Sequence, residues 1–266
     1  MTDKLAIIAG NGVLPLMLAK AYPDAIFATY APVKVLPANN RHLAARFERF
    51  GDLFAGLREA GVARIVMAGA TTRPVLDKSA FDAETRVIFP RFLAAMAQGD
   101  DVLLSELIAI FEEQGFEVLG AHDLLAELTL GKGLLCGPQP NETDLSDAGR
   151  ARDVLQALSG QDIGQAAVFA GGLCLGIETL QGTDALLNFV AQTPKNLRRA
   201  KGVLVKCPKP GQELRVDMPA IGPATIEGSI AAGLAGIVID AGKVMILERE
   251  KTIAALERAG LFLLAE

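Results

Sequence analysis

Glu178-Thr179-Leu180-Gln181-Gly182-Thr183-Asp184 is the densest polar run in the chain. An apolar stretch ends at Ile177 just before it, and a helical pattern, Ala185 to Ala191, follows. Glu178 at a strand end and Asp184 at a helix start can face one cleft and work on a metal or a water molecule. Gln181 and Thr183 add polar contacts for a substrate, and Gly182 lets the backbone approach it. A second reading keeps Thr183 or Asp184 as a helix cap. Further on, Lys206-Cys207-Pro208-Lys209-Pro210 leads to Asp217. Lys206 and Lys209 near an acid suit a pyrophosphate and its Mg²⁺, although lysines beside prolines are also ordinary surface features.

Three further sites lie nearer the N-terminus. Gly10-Asn11-Gly12 follows an apolar strand, where glycines bring the backbone close to an anion and a helix start offers N–H groups. The same triplet also fits a plain tight turn. Pro15 occupies the third small position of a dinucleotide fingerprint, and Ala28-Thr29-Tyr30-Ala31 supplies no acid for a ribose, so a nicotinamide enzyme is disfavoured. Thr71, Thr72 and Arg73 stand beyond a third strand, with hydroxyls and a guanidinium fork suited to phosphate; a solvated loop arginine is the alternative. Asp100 and Asp101 open a helix, where one is expected to act as its N-cap and the other to meet ligand or metal. Cys136, Cys174 and Cys207 have no CxxC spacing and no neighbouring histidine, and read as packed residues rather than nucleophiles.

The elements that must position these residues alternate. Strands over 5–9, 25–30, 64–68 and 117–119, with helices over 14–21, 50–60 and 102–114, predict a parallel sheet. A glycine and proline cluster from Gly131 to Asn141 suits a hinge. Beyond it, strands are expected over 166–169, 174–178, 202–206, 214–216 and 237–239, and helices over 146–158, 183–192, 225–233 and 249–259. The expectation is α/β throughout: a Rossmann-like N-terminal domain over 1–132 and a mixed-sheet catalytic domain over 138–266, joined by a flexible linker.

With 266 residues, 51% of them hydrophobic, the chain has material for two cores. A net charge of −5 without a dense Lys/Arg block speaks against nucleic acid as a partner. Two histidines disfavour an imidazole zinc site, so any metal should be a hard cation on oxygen. The odd cysteine count, with no signal-like N-terminus and no membrane-length apolar run, predicts a cytoplasmic location.

Taken together, GNGVLP (10–15), GATTRP (69–74), GDDVLL (99–104), DIGQAAV (162–168), ETLQGTDAL (178–186), VLVKCPKPGQELRVDMPAIGP (203–223) and AGLAGIVIDAG (232–242) resemble one family. It is the LpxI-type UDP-2,3-diacylglucosamine pyrophosphatase of lipid A biosynthesis, and the match covers nearly the whole chain. The resemblance implies a Mg²⁺-dependent hydrolase that releases UMP and 2,3-diacylglucosamine 1-phosphate (lipid X). It also implies a homodimer and a transient peripheral contact with the inner-membrane surface. Glu178, Asp184 and Asp217 would do the metal and water work. Gly10, Asn11, Gly12, Thr71, Thr72, Arg73, Asp100, Asp101, Gln181, Gly182, Thr183, Lys206 and Lys209 would meet substrate.

The family pattern places an acid within the Gly-Pro-x-Thr element, where this chain has Ala224. Either Asp217 or Asp184 replaces that acid, or the chain is a disabled variant that binds substrate without turnover; the second is the expectation. Two competing classes remain at this level: a nucleotide-dependent oxidoreductase and a non-catalytic binding protein for acylated sugar nucleotides.

Overall fold

A computed structural model describes residues 3–30, 36–71 and 75–266. The chain divides into two compact units, Met1–Ala126 with Arg215–Asp217, and Glu127–Leu214 with Met218–Glu266.

In chain order the first unit contains β1 (Lys4–Ala9), α1 (Leu14–Ala21), β2 (Ile26–Thr29), β3 (His42–Ala44) and α2 (Phe50–Glu59). It continues with β4 (Val62–Ala68), α3 (Ala83–Met96), α4 (Asp100–Glu113), β5 (Glu117–Leu119) and the short α5 (Ala121–Leu124). The sheet order is β3-β2-β1-β4-β5, and every pairing is parallel. β1 and β4 are nearly continuous apolar runs because helices cover both faces of such a sheet. Phe50, Leu53, Phe54 and Leu57 recur at helical spacing on α2 and bury against Phe111 and Phe116. Phe54 meets Phe111 edge-on at 5.3 Å. The helix α3 was not legible in the sequence, since Pro90 lies inside it and only Thr85, Ile88 and Ala95 are buried.

The second unit begins with β6 (Gly133–Cys136), α6 (Glu142–Leu158), β7 (Ala166–Ala170), β8 (Leu173–Ile177), α7 (Gly182–Ala191) and β9 (Val203–Lys206). Next comes α8 (Leu214–Asp217), whose last three residues group with the first unit. Then follow β10 (Ala220–Ile221), α9 (Pro223–Ala231), β11 (Gly236–Ile239), β12 (Met245–Ile246), α10 (Arg249–Ala259) and β13 (Phe262–Ala265). The segment 214–216, expected as a strand, is therefore helical. Three alternating residues fit either period, and the flanking Pro210-Gly211 gives no means of deciding.

The six-stranded sheet runs β6-β13-β11-β9-β7-β8. β13, β11 and β9 are mutually parallel, β6 opposes β13, and β7 opposes both β9 and β8. Side chains alternate between two cores, as a strand period of two requires. Leu204, Ile237, Ile239 and Leu263 pack under α7 and α9, while Val203, Val205, Val238 and Phe262 pack under α6. Gly133–Cys136, in the stretch expected as a hinge, is built into this sheet as its edge strand.

Candidate active site

Strand directions collect polar residues at one edge of the six-stranded sheet. β8, β9, β11 and β13 all run the same way, so they end together at Ile177, Lys206, Ile239 and Ala265. The row is continuous. The Glu178 amide donates to Ala166 O at 2.8 Å, Ala166 pairs with Lys206, and Lys206 pairs with Ile239. Open α/β sheets take ligands at such carboxyl ends.

Glu178, Thr183 and Lys206 are all buried there and bonded in series. Lys206 Nζ donates to Thr183 Oγ1 at 2.7 Å, and Thr183 Oγ1 donates to Glu178 Oε1 at 2.6 Å. The other carboxylate oxygen, Oε2, accepts the Gln165 amide at 2.9 Å. Thr183 is thus not a helix cap. Gln181 holds that position without a side-chain cap bond, and its side chain accepts from Thr179. Gly182 follows at φ +84°, a left-handed conformation that glycine adopts without strain. Asp184 is exposed in the first turn of α7.

Helix packing sets the place of Ala224. α9 leads the chain back to the start of β11, so its first turn lies towards the same carboxyl edge as the first turn of α7. The two helices run in the same sense and meet closely: a Cβ on Gly228 would come within 2.8 Å of Leu187 Cδ1. Ala224 and Thr183 each stand about one helical turn before that contact. Ala224 is exposed, and no acid occupies the first turn of α9.

Lys209 follows Lys206 by three residues, beyond the end of β9. Its side chain pairs with Asp162, and it lines a cavity of about 170 Å³ with Arg152, Gly164, Cys207 and Asp240, on the α6 face of the sheet. Burial pushes the Cys207 thiol up to about 11, which keeps it protonated at neutral pH and inert as a nucleophile. Asp217 groups with the first unit.

In the first unit, the loops after β1 and β4 close on each other. The Gly10 amide donates to Ala68 O, the Asn11 amide to Ala70 O and the Ala70 amide to Asn11 O, each at 2.8 Å. A Cβ at Gly10 would lie 2.5 Å from Ala70 O, so glycine is required for this approach. Gly12 has φ +115°. The tight-turn reading therefore accounts for both glycines. Thr71 is exposed just past the bridge, and Thr72 and Arg73 lie outside the described residues. Gly99, at φ +118°, holds the N-cap of α4. Asp100 and Asp101 are in its first turn, so neither is the N-cap expected from sequence; both complement the helix dipole.

Mg²⁺ is commonly held by one or two carboxylates together with substrate phosphates rather than by a protein cage. Among the described residues no three His, Cys, Asp or Glu side chains cluster as a metal site. Sequence reasoning missed Gln165 and Asp162. Gln165 acts through its backbone, which leaves no side-chain signal, and Asp162 is recognisable only once Lys209 is in place.

A parallel sheet of order β3-β2-β1-β4-β5 in one unit, and a polar row at the carboxyl edge of a mixed sheet in the other, define a two-unit α/β protein. Two family models match the chain, the LpxI N-terminal domain over residues 4–128 and the LpxI C-terminal domain over residues 131–264. A relative from Caulobacter vibrioides, "UDP-2,3-diacylglucosamine pyrophosphatase LpxI", is 40% identical, covering 98% of this chain and 96% of its own length. The chain belongs to the LpxI family. A solved GalE-like L-threonine dehydrogenase from Cupriavidus necator (holo form) aligns over 95% of this chain and 89% of its own. Its identity is 12% and its TM-score 0.29, a likeness too weak to bear on fold or activity.

Proposed function

We propose that the chain acts on UDP-2,3-diacylglucosamine, hydrolysing the pyrophosphate bond to UMP and 2,3-diacylglucosamine 1-phosphate in lipid A biosynthesis, with Mg²⁺. The relation to the Caulobacter enzyme over nearly the full length of both chains carries this reading. Phosphoryl transfer to water depends mostly on positioning and on neutralising oxygen charge. Lys206 offers an ammonium at the carboxyl edge, and the first turns of α7 and α9 direct backbone N–H groups to the same edge. On this reading Asp184 would help hold the cation, and a carboxylate introduced by Ala224→Asp would join it. Bound Mg²⁺ supplies further neutralisation of the pyrophosphate oxygens. Asp217, Thr71, Thr72, Arg73, Asp100, Asp101 and the Gly10-Asn11-Gly12 loop remain proposed contacts on the strength of the family motifs. An acylated substrate also favours transient contact with the inner-membrane surface, and the family resemblance favours a homodimer. Among the described residues no helix is long and apolar enough to cross a membrane.

With Ala224 in place the chain is expected to keep substrate binding and turn over slowly or not at all; the second reading is a non-catalytic binding protein for acylated sugar nucleotides. The two readings separate on Ala224→Asp. Incubated with UDP-2,3-diacylglucosamine and Mg²⁺, that variant should release UMP at least about 100-fold faster than the parent, the scale of a placed general acid–base group. Chelation should abolish the release. An Ala224→Asp protein that binds substrate and gains no rate would remove position 224 from the chemistry and leave the binding reading standing.

A further inference from the structure

Resting on the reading of Lys206 as a phosphate-neutralising group, we propose that Thr183 is a positioning residue and that Glu178 acts through it to aim Lys206. The donor arithmetic fixes the direction of the chain. An ammonium has only donors, so Lys206 Nζ must give a proton to Thr183 Oγ1 at 2.7 Å. Thr183 has one hydroxyl proton, and Glu178 Oε1 at 2.6 Å is its acceptor. Glu178 is itself held by the Gln165 amide at 2.9 Å. Each member thus has one orientation compatible with the others.

Charge points the same way. A buried ammonium is costly unless an opposite charge is close, and Glu178 supplies one across a single hydroxyl. The hydroxyl spaces Lys206 from the carboxylate, so Glu178 balances its charge without a direct contact. Threonine suits this task better than serine, since a β-branched side chain restricts χ1 and fixes Oγ1 between its partners. The chain rises from the sheet at Ile177, turns at Gly182 and puts Thr183 back over the row, so the link is built by β8, α7 and β9 together. Glu178 is on this account an anchor for Lys206 and not a ligand of the cation.

UDP, which carries uridine and pyrophosphate without acyl chains, is the probe. Its affinity for the full chain in Mg²⁺ is measured by calorimetry for the parent, Thr183→Ser, Thr183→Val, Lys206→Met and the Thr183→Val/Lys206→Met pair. Circular dichroism checks that each variant is folded. Thr183→Ser should stay within about threefold of the parent. Thr183→Val and Lys206→Met should each lose about tenfold, and the pair should lose no more than Lys206→Met alone, as members of one network do. Full losses adding in the pair would overturn the proposal, as would a Thr183→Val protein that binds like the parent. Both of those results leave the substrate reading intact, whereas a parent with no affinity for UDP defeats both. Should Thr183→Val not fold, Glu178→Gln decides. Its amide removes the charge and sets a donor against either Thr183 or the Gln165 amide, which breaks one bond of the chain, so UDP affinity should fall by about the same factor at an unchanged magnesium requirement. A raised magnesium requirement would assign Glu178 to the cation and sink the proposal.

Discussion

Where β7 turns into β8, the Gly171 and Gly172 amides donate to Asp147 Oδ2 and Oδ1, each at 2.7 Å, and Asp147 is buried. Both oxygens of this carboxylate serve architecture: they close the hairpin that brings Glu178 to the sheet edge. Asp147→Asn keeps one acceptor and turns a donor at the other amide. It should cost about 1–3 kcal/mol in urea denaturation, the penalty for a buried group left unsatisfied. A variant as stable as the parent would show that the turn holds itself. Nothing in the sequence singles out Asp147 from the other acids of α6, because its partners lie two elements away. The end of the apolar run at Ile177 did show that Glu178 closes a strand. The bond from Thr183 to Lys206, across 23 positions, was not legible. Local patterns place a residue on an element, and long-range contacts choose its partner.

Helix starts show the same division. Asp82 Oδ1 accepts the Thr85 amide at 2.8 Å, capping α3, while Oδ2 accepts the Gly51 amide at 2.9 Å and the Asp52 amide at 3.3 Å in the first turn of α2. One carboxylate thus serves two helices. Burial pushes its pKa up, but hydrogen bonds from the Thr85 hydroxyl and from the amides of Thr85, Asp52 and Gly51 outweigh this and leave it below the ordinary carboxylate range. With the folded pKa depressed, the stabilisation is complete above the unfolded value of about 3.9 and fades as pH falls through the folded one. Asp82→Ala should therefore destabilise the chain by about 2 kcal/mol at neutral pH, and its deficit should shrink in acid. Denaturation midpoints at pH 7 and pH 3 check this; an equal deficit at both would exclude the carboxylate as the cause. The alternation of β1, α1, β2, α2, β4 and α4 was legible because each has an apolar period and a terminator. α3 and α8 were not: one is interrupted by Pro90, and the other is only four residues long.

At the scale of the whole chain, α/β composition in two units follows from the order of strand and helix patterns. Strand order within the mixed sheet does not, since β6 pairs with β13 at the far end of the sequence, β7 reaches β9 across α7, and their side chains look like any buried strand. That order nevertheless decides which residues share the carboxyl edge, and so what a cation could meet. On the proposed reading, Mg²⁺ would take most of its ligands from phosphate oxygens, as this ion commonly does at nucleotide sites. Binding of the two should consequently be mutually dependent, because each completes the other's site and linkage makes such coupling reciprocal. Thermal unfolding followed with Mg²⁺ alone at millimolar concentration should shift Tm little. UDP alone should shift it modestly, and the two together should exceed the sum of the separate shifts, since stabilisation follows the fraction of ligand bound to the folded state. The excess should vanish on chelation. A large shift with micromolar Mg²⁺ and no nucleotide would mean that the protein alone furnishes the cation site, and the substrate-completed arrangement would then have to be abandoned.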